Sequence, residues 1–485
     1  MPPTLITNVR IFDGVSVIFD CGHVLIESGK IQQISEHPFS TAPEWTIVDG
    51  SNSTLIPGLT DAHVHVYQDL TFIETAIQYG VTTVLDMHNE SEWFKKMKAI
   101  SCERNDVADI QSAGLAATVK NGWPSAILRM TASADPTLEN RILGWPDITD
   151  KETADQYVAK NKAMGASFIK LMQEDGCTLS LPFPTRPIPT PRLEVQKAVV
   201  DAAHHNDMLA VAHALTNDSV LKMLNAGVDG ITHSSLEPVN ESVINAFKDT
   251  DAFIIPTFAV HASSSGEEKH TRERLAADIA DTREKDHFLG CLHIMHTGFS
   301  IQNAYDQIAS LKEAGVDILC GTDSSEHLVG TRAGASVLHE LWLYVNRCGF
   351  TPTEALASAT SKTAERFKLK DRGMIQVGRR ADLVLVKGGS KQPHFLSWRS
   401  VALLEIGEFH TGIDHCLHAL VATLHEGFES LIDSRITNQD TAIVVPRSRE
   451  QYPPEWARNE IGIRVQALAQ LFNGRRRHGV EQVTE

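Results

Sequence analysis

The chain has 485 residues, 42% hydrophobic and 22% charged, which excludes collagen-like, low-complexity and wholly disordered classes. Lys and Arg total 44 against 61 Asp and Glu, a formal charge of −17 and a field of the wrong sign for a nucleic-acid partner. Seven scattered cysteines without a CxxC pair read as reduced, no apolar run spans a membrane, and the amino terminus lacks a basic-then-apolar leader, so a cytoplasmic protein is expected.

In chain order, residues 4–50 alternate β-prone runs with turns at Asp13–Gly14 and Ser28–Gly29, a hairpin pattern. From residue 58 short apolar runs alternate with helix-length stretches. The runs are LTDAHVH (59–65), TTVLDM (82–87), DIQSAG (109–114), ASFIKLM (166–172), LAVAHA (209–214), GITHS (230–234), FIIPTF (253–258) and DILCGTD (317–323). Between them DLTFIETAIQYG, RLEVQKAVVDAAHHN, NDSVLKMLNAG and IQNAYDQIASLKEAG end at Gly or Asn, as helices do. Eight strands alternating with helices predict an α/β fold, a (β/α)8 TIM-like barrel. A doubly wound sheet is the rival, but the glycine-rich fingerprint after its first strand is missing.

After one last helix, TPTEALASATSKTAERFKL, β-prone character returns in GMIQVGRRADLVLVKGG. Barrel termini lie close together, so both flanks can build one small β-sandwich domain. The expected organisation is a first part of that sandwich over 1–57, the catalytic barrel over 58–370, returning strands over 371–390 and a partly helical extension over 391–485. In RNEIGIRVQALAQLF, Ile461, Val465, Leu468 and Leu471 or Phe472 fall on one helical stripe, which predicts a homo-oligomer.

His63 and His65 stand at i and i+2 on the first strand, so they share a face. Lys170 sits inside the run SFIKLM, His213 and His233 end the fifth and sixth runs, and Asp323 ends the eighth. Six candidate metal ligands from five strand ends meet at the carboxyl mouth of a barrel, where active sites lie. Taken singly, an HxH pair also serves structural roles, and a strand-end lysine can reach to solvent. His204–His205 fall on a helix, His293 and His296 form an HxxH away from the mouth, and His261 follows the seventh strand.

The segments PGLTDAHVHV (57–66), GVTTVLD (80–86), SFIKLM (167–172), VAHA and AGVDGITHS (211–234), GTDS (321–324) and residues 349–389 together resemble the amidohydrolase superfamily. The resemblance is to its binuclear imidazolonepropionase/prolidase-like branch, which includes the fungal ochratoxin-hydrolysing amidase. It implies that His63, His65 and Asp323 bind one divalent metal, that His213 and His233 bind a second, and that carboxylated Lys170 bridges the two. Zinc suits imidazole and carboxylate ligands. A metal-bridging hydroxide would then attack a carbonyl carbon, with Asp323 as general base and acid and His233 a ligand beneath the oxyanion. The expected substrate is a small molecule with a C–N amide bond, joining an acyl group to an amino acid.

Four places depart from the family pattern. Gln173, Glu174, Asp175 and Gly176 replace a glycine pair after the lysine strand, and Met87, His88 and Asn89 replace small residues after the second. Ser234–Ser235 follow His233, and the third loop lacks its usual histidines. Met87, His88, Trp123, Met172, Phe258 and His261 are the candidate substrate contacts, a mixture of flat and apolar surfaces that predicts a hydrophobic or aromatic acyl group. A lactone or cyclic-amide hydrolase, or a metal-dependent decarboxylase on the same barrel, would need the same ligands.

Overall fold

Both expected hairpins form. β1 (Thr4–Phe12) turns into β2 (Val17–Glu27) through Asp13, whose carboxylate accepts the backbone N–H groups of Val15 and Ser16 at 2.8 Å. Gly14 takes φ 110°, and a Cβ there would lie 2.5 Å from the Gly373 carbonyl, so only glycine fits the turn. Ser28 and Gly29, both at positive φ, turn β2 into β3 (Lys30–Ser35). The computed structural model describes residues 2–131 and 135–387 and the backbone of 442–445.

β4 (Thr46–Asp49) and β5 (Ser53–Pro57) both run parallel to β1. Three parallel strands then follow, β6 (Leu59–Val64), β7 (Val81–Asp86) and β8 (Asp109–Ser112). A second parallel sheet holds β9 (Ile169–Met172), β10 (Ala210–His213), β11 (Gly230–Thr232) and β12 (Phe253–Ile255). Near the end of the described chain β13 (Leu383–Lys387) pairs antiparallel with β5, and β14 (Ala442–Val445) pairs with β13. The additional sheet is thus seven-stranded, in the order β14–β13–β5–β1–β2–β3 with β4 on β1. Strands from both flanks of the parallel sheets build it. Apart from β14, the expected extension over 391–485, with its stripe at Ile461, Val465, Leu468, Leu471 and Phe472, lies outside the described residues.

The eighth expected strand, 317–323, takes another form. Isolated parallel bridges Ile254↔Ile318 and Val64↔Ser324 attach it to the two parallel sheets, and Ala117↔Leu171 connects the β8 side to β9. Gly321 passes so close to β6 that a Cβ would stand 2.8 Å from the His63 nitrogen, and Asp323 has φ 58°, which breaks the extended run. Around the sheets the helices start and stop as their caps dictate. Asp69 accepts the Thr71 N–H ahead of the helix Leu70–Gln78, and Thr216 caps Asn217–Ala226, which Gly227 ends at φ 89°. The single helix expected over 351–369 is two, Pro352–Ser358 and Ser361–Arg366. Between them Thr360 and Thr363 hydroxyls donate to the Leu356 and Ser358 carbonyls at 2.7 and 2.6 Å, competing with the helical ladder. Among the described residues no helix is long and apolar enough to cross a membrane.

Strand alternation sorts the interior into two layers. Odd and even residues of β9 and β10 face opposite ways: Ile169, Leu171, Ala210 and Ala212 join the main cluster beneath the helices, while Phe168 and Val211 join an inner cluster with Leu85, Phe253, Ile255 and Leu319. Lys170 and His213 lie two residues beyond Phe168 and Val211 on the same faces. The inner apolar cluster is therefore the floor beneath them.

One buried ion cluster ties the returning segment to the parallel strands. Asp109, at the start of β8 and 3% exposed in its side chain, meets Arg372 at 2.7 Å, Lys98 at 2.9 Å and Arg380 at 3.5 Å. Burial alone would raise its pKa, but the three cations outweigh that and hold the carboxyl well below the usual range. A depressed folded pKa stabilises the fold above the unfolded value near ~4 and loses that contribution as pH falls through the folded one. Asp109→Asn should therefore cost about 3 kcal/mol, because it removes the buried carboxylate that Lys98, Arg372 and Arg380 share and leaves Arg372 to the half-exposed Asp371. Urea unfolding should show that deficit at pH 7, with a smaller gap between variant and parent at pH 3.

Candidate metal centre

The basic groups gather where the parallel strands end. His63 lies on β6 and His65 just beyond it, and their Nε2 atoms stand 3.4 and 3.0 Å from Oδ1 of Asp323. The ring of His233, directly after β11, is 4.8 Å from that of His63 and 4.4 Å from that of His213, the last residue of β10. One ligand atom each from His63, His233 and Asp323 fall within 4.8 Å of one another. Lys170, 1% exposed on β9, donates from Nζ to the hydroxyl of Thr232, the residue before His233. These contacts link the six expected ligands, and the compact group among the described residues is His63, His233 and Asp323.

Backbone geometry at two of them is unusual. His233 has φ 72° and Asp323 φ 58°, left-handed values that cost about 1–3 kcal/mol each and persist only where the surroundings over-determine them. The His233 N–H donates to Ile255 at 2.8 Å and the Asp323 N–H to the His63 carbonyl at 2.8 Å, so a neighbouring strand holds each in place.

Burial sets the charge states. It lowers the Lys170 amine to about 7, with Asp323 opposing, and the His63 imidazole to about 3, helped by Lys170. It also holds His233 well below the usual range, with His213 and His63 adding to the effect. Asp323 goes the opposite way: burial would raise it, but the imidazoles of His63 and His65 keep it ionised and well below normal. Neutral imidazoles, an amine that sheds its proton near neutrality and an ionised carboxylate are the donor set a divalent metal requires.

Hydrogen bonds decide which ring nitrogen is free. His233 Nδ1 is engaged by the Thr257 hydroxyl at 2.7 Å and His213 Nε2 by the Glu174 carboxylate at 3.0 Å, leaving the opposite nitrogen of each ring for a ligand. His88 is arranged differently. The Ala116 N–H donates to its Nδ1 at 3.1 Å, and burial holds the ring neutral, to about 3, so its hydrogen sits on Nε2. Among the described residues that nitrogen is buried without a partner, and it is a donor. His88 cannot offer a lone pair to a metal in this arrangement.

The substrate-contact expectations divide. His88 packs edge-on to Trp145 at 4.7 Å, His261 lies 5.9 Å from the His233 ring, and Trp123 lies 5.7 Å from that of His213. Met172 is paired in register with His213. Met87 and Phe258 are not brought to the centre. Met87 is fully buried in the inner apolar cluster, and Phe258 is held edge-on between Tyr305 and Tyr344, because the first residue of the helix Phe258–Ser265 faces the helical shell. Sequence reasoning missed Asp61, which accepts Thr322 Oγ1–H at 2.6 Å and the His63 and Thr322 N–H groups at 3.2 and 3.1 Å. Burial pushes its carboxyl up to about 7 against those bonds. Its position two residues before His63 was the available signal. Thr232, Thr257 and the Glu174–His213 contact left none.

A family model described as the amidohydrolase family matches residues 54–405, well over half of the chain. An adenine deaminase from Clostridium perfringens is 32% identical over 95 residues, 19% of this chain and 17% of its own length, so the match spans less than a fifth of that relative. Solved folds are similar over far more. A Xaa-Pro dipeptidase with bound methionine covers 81% of this chain and 96% of its own at TM-score 0.62 and 21% identity. The ochratoxinase of A. niger covers 82% and 92% at TM-score 0.59 and 18% identity.

The hydrogen bond at His88 Nδ1 keeps this ring apart from the expected ligands. His63→Gln should weaken metal binding by at least about tenfold, whereas His88→Gln should bind metal as the parent does. Elemental analysis after dialysis against limiting metal checks both.

Proposed function

The chain belongs to the amidohydrolase family, and we propose that it is a metal-dependent hydrolase cleaving a C–N amide bond in a small, hydrophobic or aromatic acyl-amino-acid-like substrate. The observation that carries this reading is the convergence of His63, His233 and Asp323 within 4.8 Å, with His65, His213 and buried Lys170 around them. In this reading the bridges at Ala117, Ile254 and Val64 join the two parallel sheets into one closed (β/α)8 barrel. His63, His65 and Asp323 would hold one divalent ion, zinc by the chemistry of the donors, and His213 and His233 a second. A deprotonated lysine amine adds CO₂ to form a carbamate, and Lys170, buried and held near 7, would supply that anionic bridge.

Divalent ions held there would supply Lewis-acid polarisation of a carbonyl and an acidified water. Asp323 is ionised and borders the more open side of the cluster, so it takes a proton during attack and passes it to the departing amide nitrogen. His233, fixed by Thr257, stays neutral and holds its position through the charge change. We assign the substrate contacts to His88, His261, Trp123 and Met172, with the Nε2–H of His88, unpaired among the described residues, available to an acceptor on the substrate. The fold likeness to a Xaa-Pro dipeptidase supports an amide as the bond cleaved.

Protein loaded with metal and bicarbonate should carry about two divalent ions per chain, and Lys170→Ala fewer; a reproducible value of one or none for the parent overturns the two-ion centre. Asp323→Asn, at verified full loading, should lose roughly 10²–10⁴-fold in kcat on N-acyl amino acids with KM little changed. Turnover within threefold of the parent would remove Asp323 as the proton carrier.

A further inference from the structure

Glu174 stands two residues beyond the end of β9, on the segment that replaces the glycine pair expected after that strand. It is 3% exposed. Its Oε2 lies 3.0 Å from Nε2 of His213 on the neighbouring strand, and its Oε1 accepts the Gly176 N–H at 2.6 Å. A carboxylate taken out of water costs several kcal/mol unless it is paired, and here both oxygens are engaged. The Gly176 bond fixes the carboxylate from behind, so it cannot swing away from the imidazole.

An ionised carboxylate only accepts hydrogen bonds. The hydrogen in the Glu174–His213 contact therefore belongs to Nε2, and in the neutral ring the lone pair lies on Nδ1. Two rings confine the imidazole further: His233 at 4.4 Å across its edge and Trp123 at 5.7 Å, tilted by 34°. Turning the His213 ring over would break the Glu174 bond and leave that carboxylate buried with only an amide for company.

We propose that Glu174 is a positioning residue for the metal centre, locking His213 in the orientation and tautomer that present Nδ1 to a divalent ion. The proposal rests on the reading of His213 as a ligand. Glu174 contributes by removing alternatives: without it His213 can rotate or exchange tautomers, and each state must be undone before an ion binds. The carboxylate also makes the imidazole a stronger electron donor. The bland alternative is that Glu174 staples the ends of β9 and β10 and has no bearing on metal.

Chelator competition with Co²⁺ on the full chain separates these, using the parent, Glu174→Gln and Glu174→Ala. The cobalt absorption bands report the ligand geometry independently of turnover. Gln keeps an acceptor oxygen without the charge, and Ala removes both. We expect about a 10–100-fold loss of affinity for one of two ions in Ala, a smaller loss in Gln, and altered cobalt bands in Ala. If Ala does not fold, a loss in Gln with thermal stability near the parent's supports the positioning role equally well. Parent-like affinity and bands in every folded variant, with or without a drop in melting temperature, overturn the proposal and leave the staple. A parent that binds no second ion overturns the two-ion reading itself, and the role of Glu174 falls with it.

Discussion

A basic side chain can hold a cation only after giving up its own proton, and at this centre burial is what removes it. Lys170 in water would be an ammonium; two residues inside the end of β9 it sheds its proton close to neutrality, and His63 and His233 are pressed further in the same direction. The surrounding architecture follows from that requirement. The strand ends must be dry, so an apolar floor of Phe168, Val211, Ile255 and Leu319 lies one layer beneath. The one group that must stay charged, Asp323, is the one touched by two imidazoles and placed toward the opening. Neutral donors and a retained anion in the same few ångströms are a combination that water would abolish.

Holding those groups in register takes more than the strands. His233 and Asp323 both leave extended geometry through left-handed φ values, and Asp61 laces β6 to the eighth segment through two hydrogen bonds from Thr322. The lacing explains why that segment need not be a continuous strand. Its role is to pass Asp323 across the end of β6, and Gly321 permits the close approach. Regular pairing is sacrificed where position matters more than ladder length.

Much of this was legible in the residue order. Period-two alternation turns His63 and His65 to one side and makes Lys170 conspicuous in an apolar run, and the strand starts agree with the observed elements within a few residues. What could not be read is orientation off the strands. Phe258 follows a strand end more closely than His261 does, yet it faces Tyr305 and Tyr344 because a helix begins there. Met87 continues the alternation of β7 into the inner cluster, a sign that proximity to a mouth is not access to it. The partners that choose each imidazole's free nitrogen, Glu174, Thr257 and Ala116, come from other strands and loops and have no fixed spacing from the histidines they serve.

The pairing of β5 with β13 joins residues 53–57 to residues 383–387, and on a ribosome the first partner waits for the second. At roughly 5–20 residues per second the wait is on the order of tens of seconds. Throughout it β5 presents a row of unpaired N–H and C=O groups beside β1, the kind of open edge that recruits other chains. β13 covers β5 and passes the open edge outward to itself, and β14 in turn covers β13: a transcript truncated just short of residue 383 would make a chain that carries every candidate ligand but leaves β5 bare.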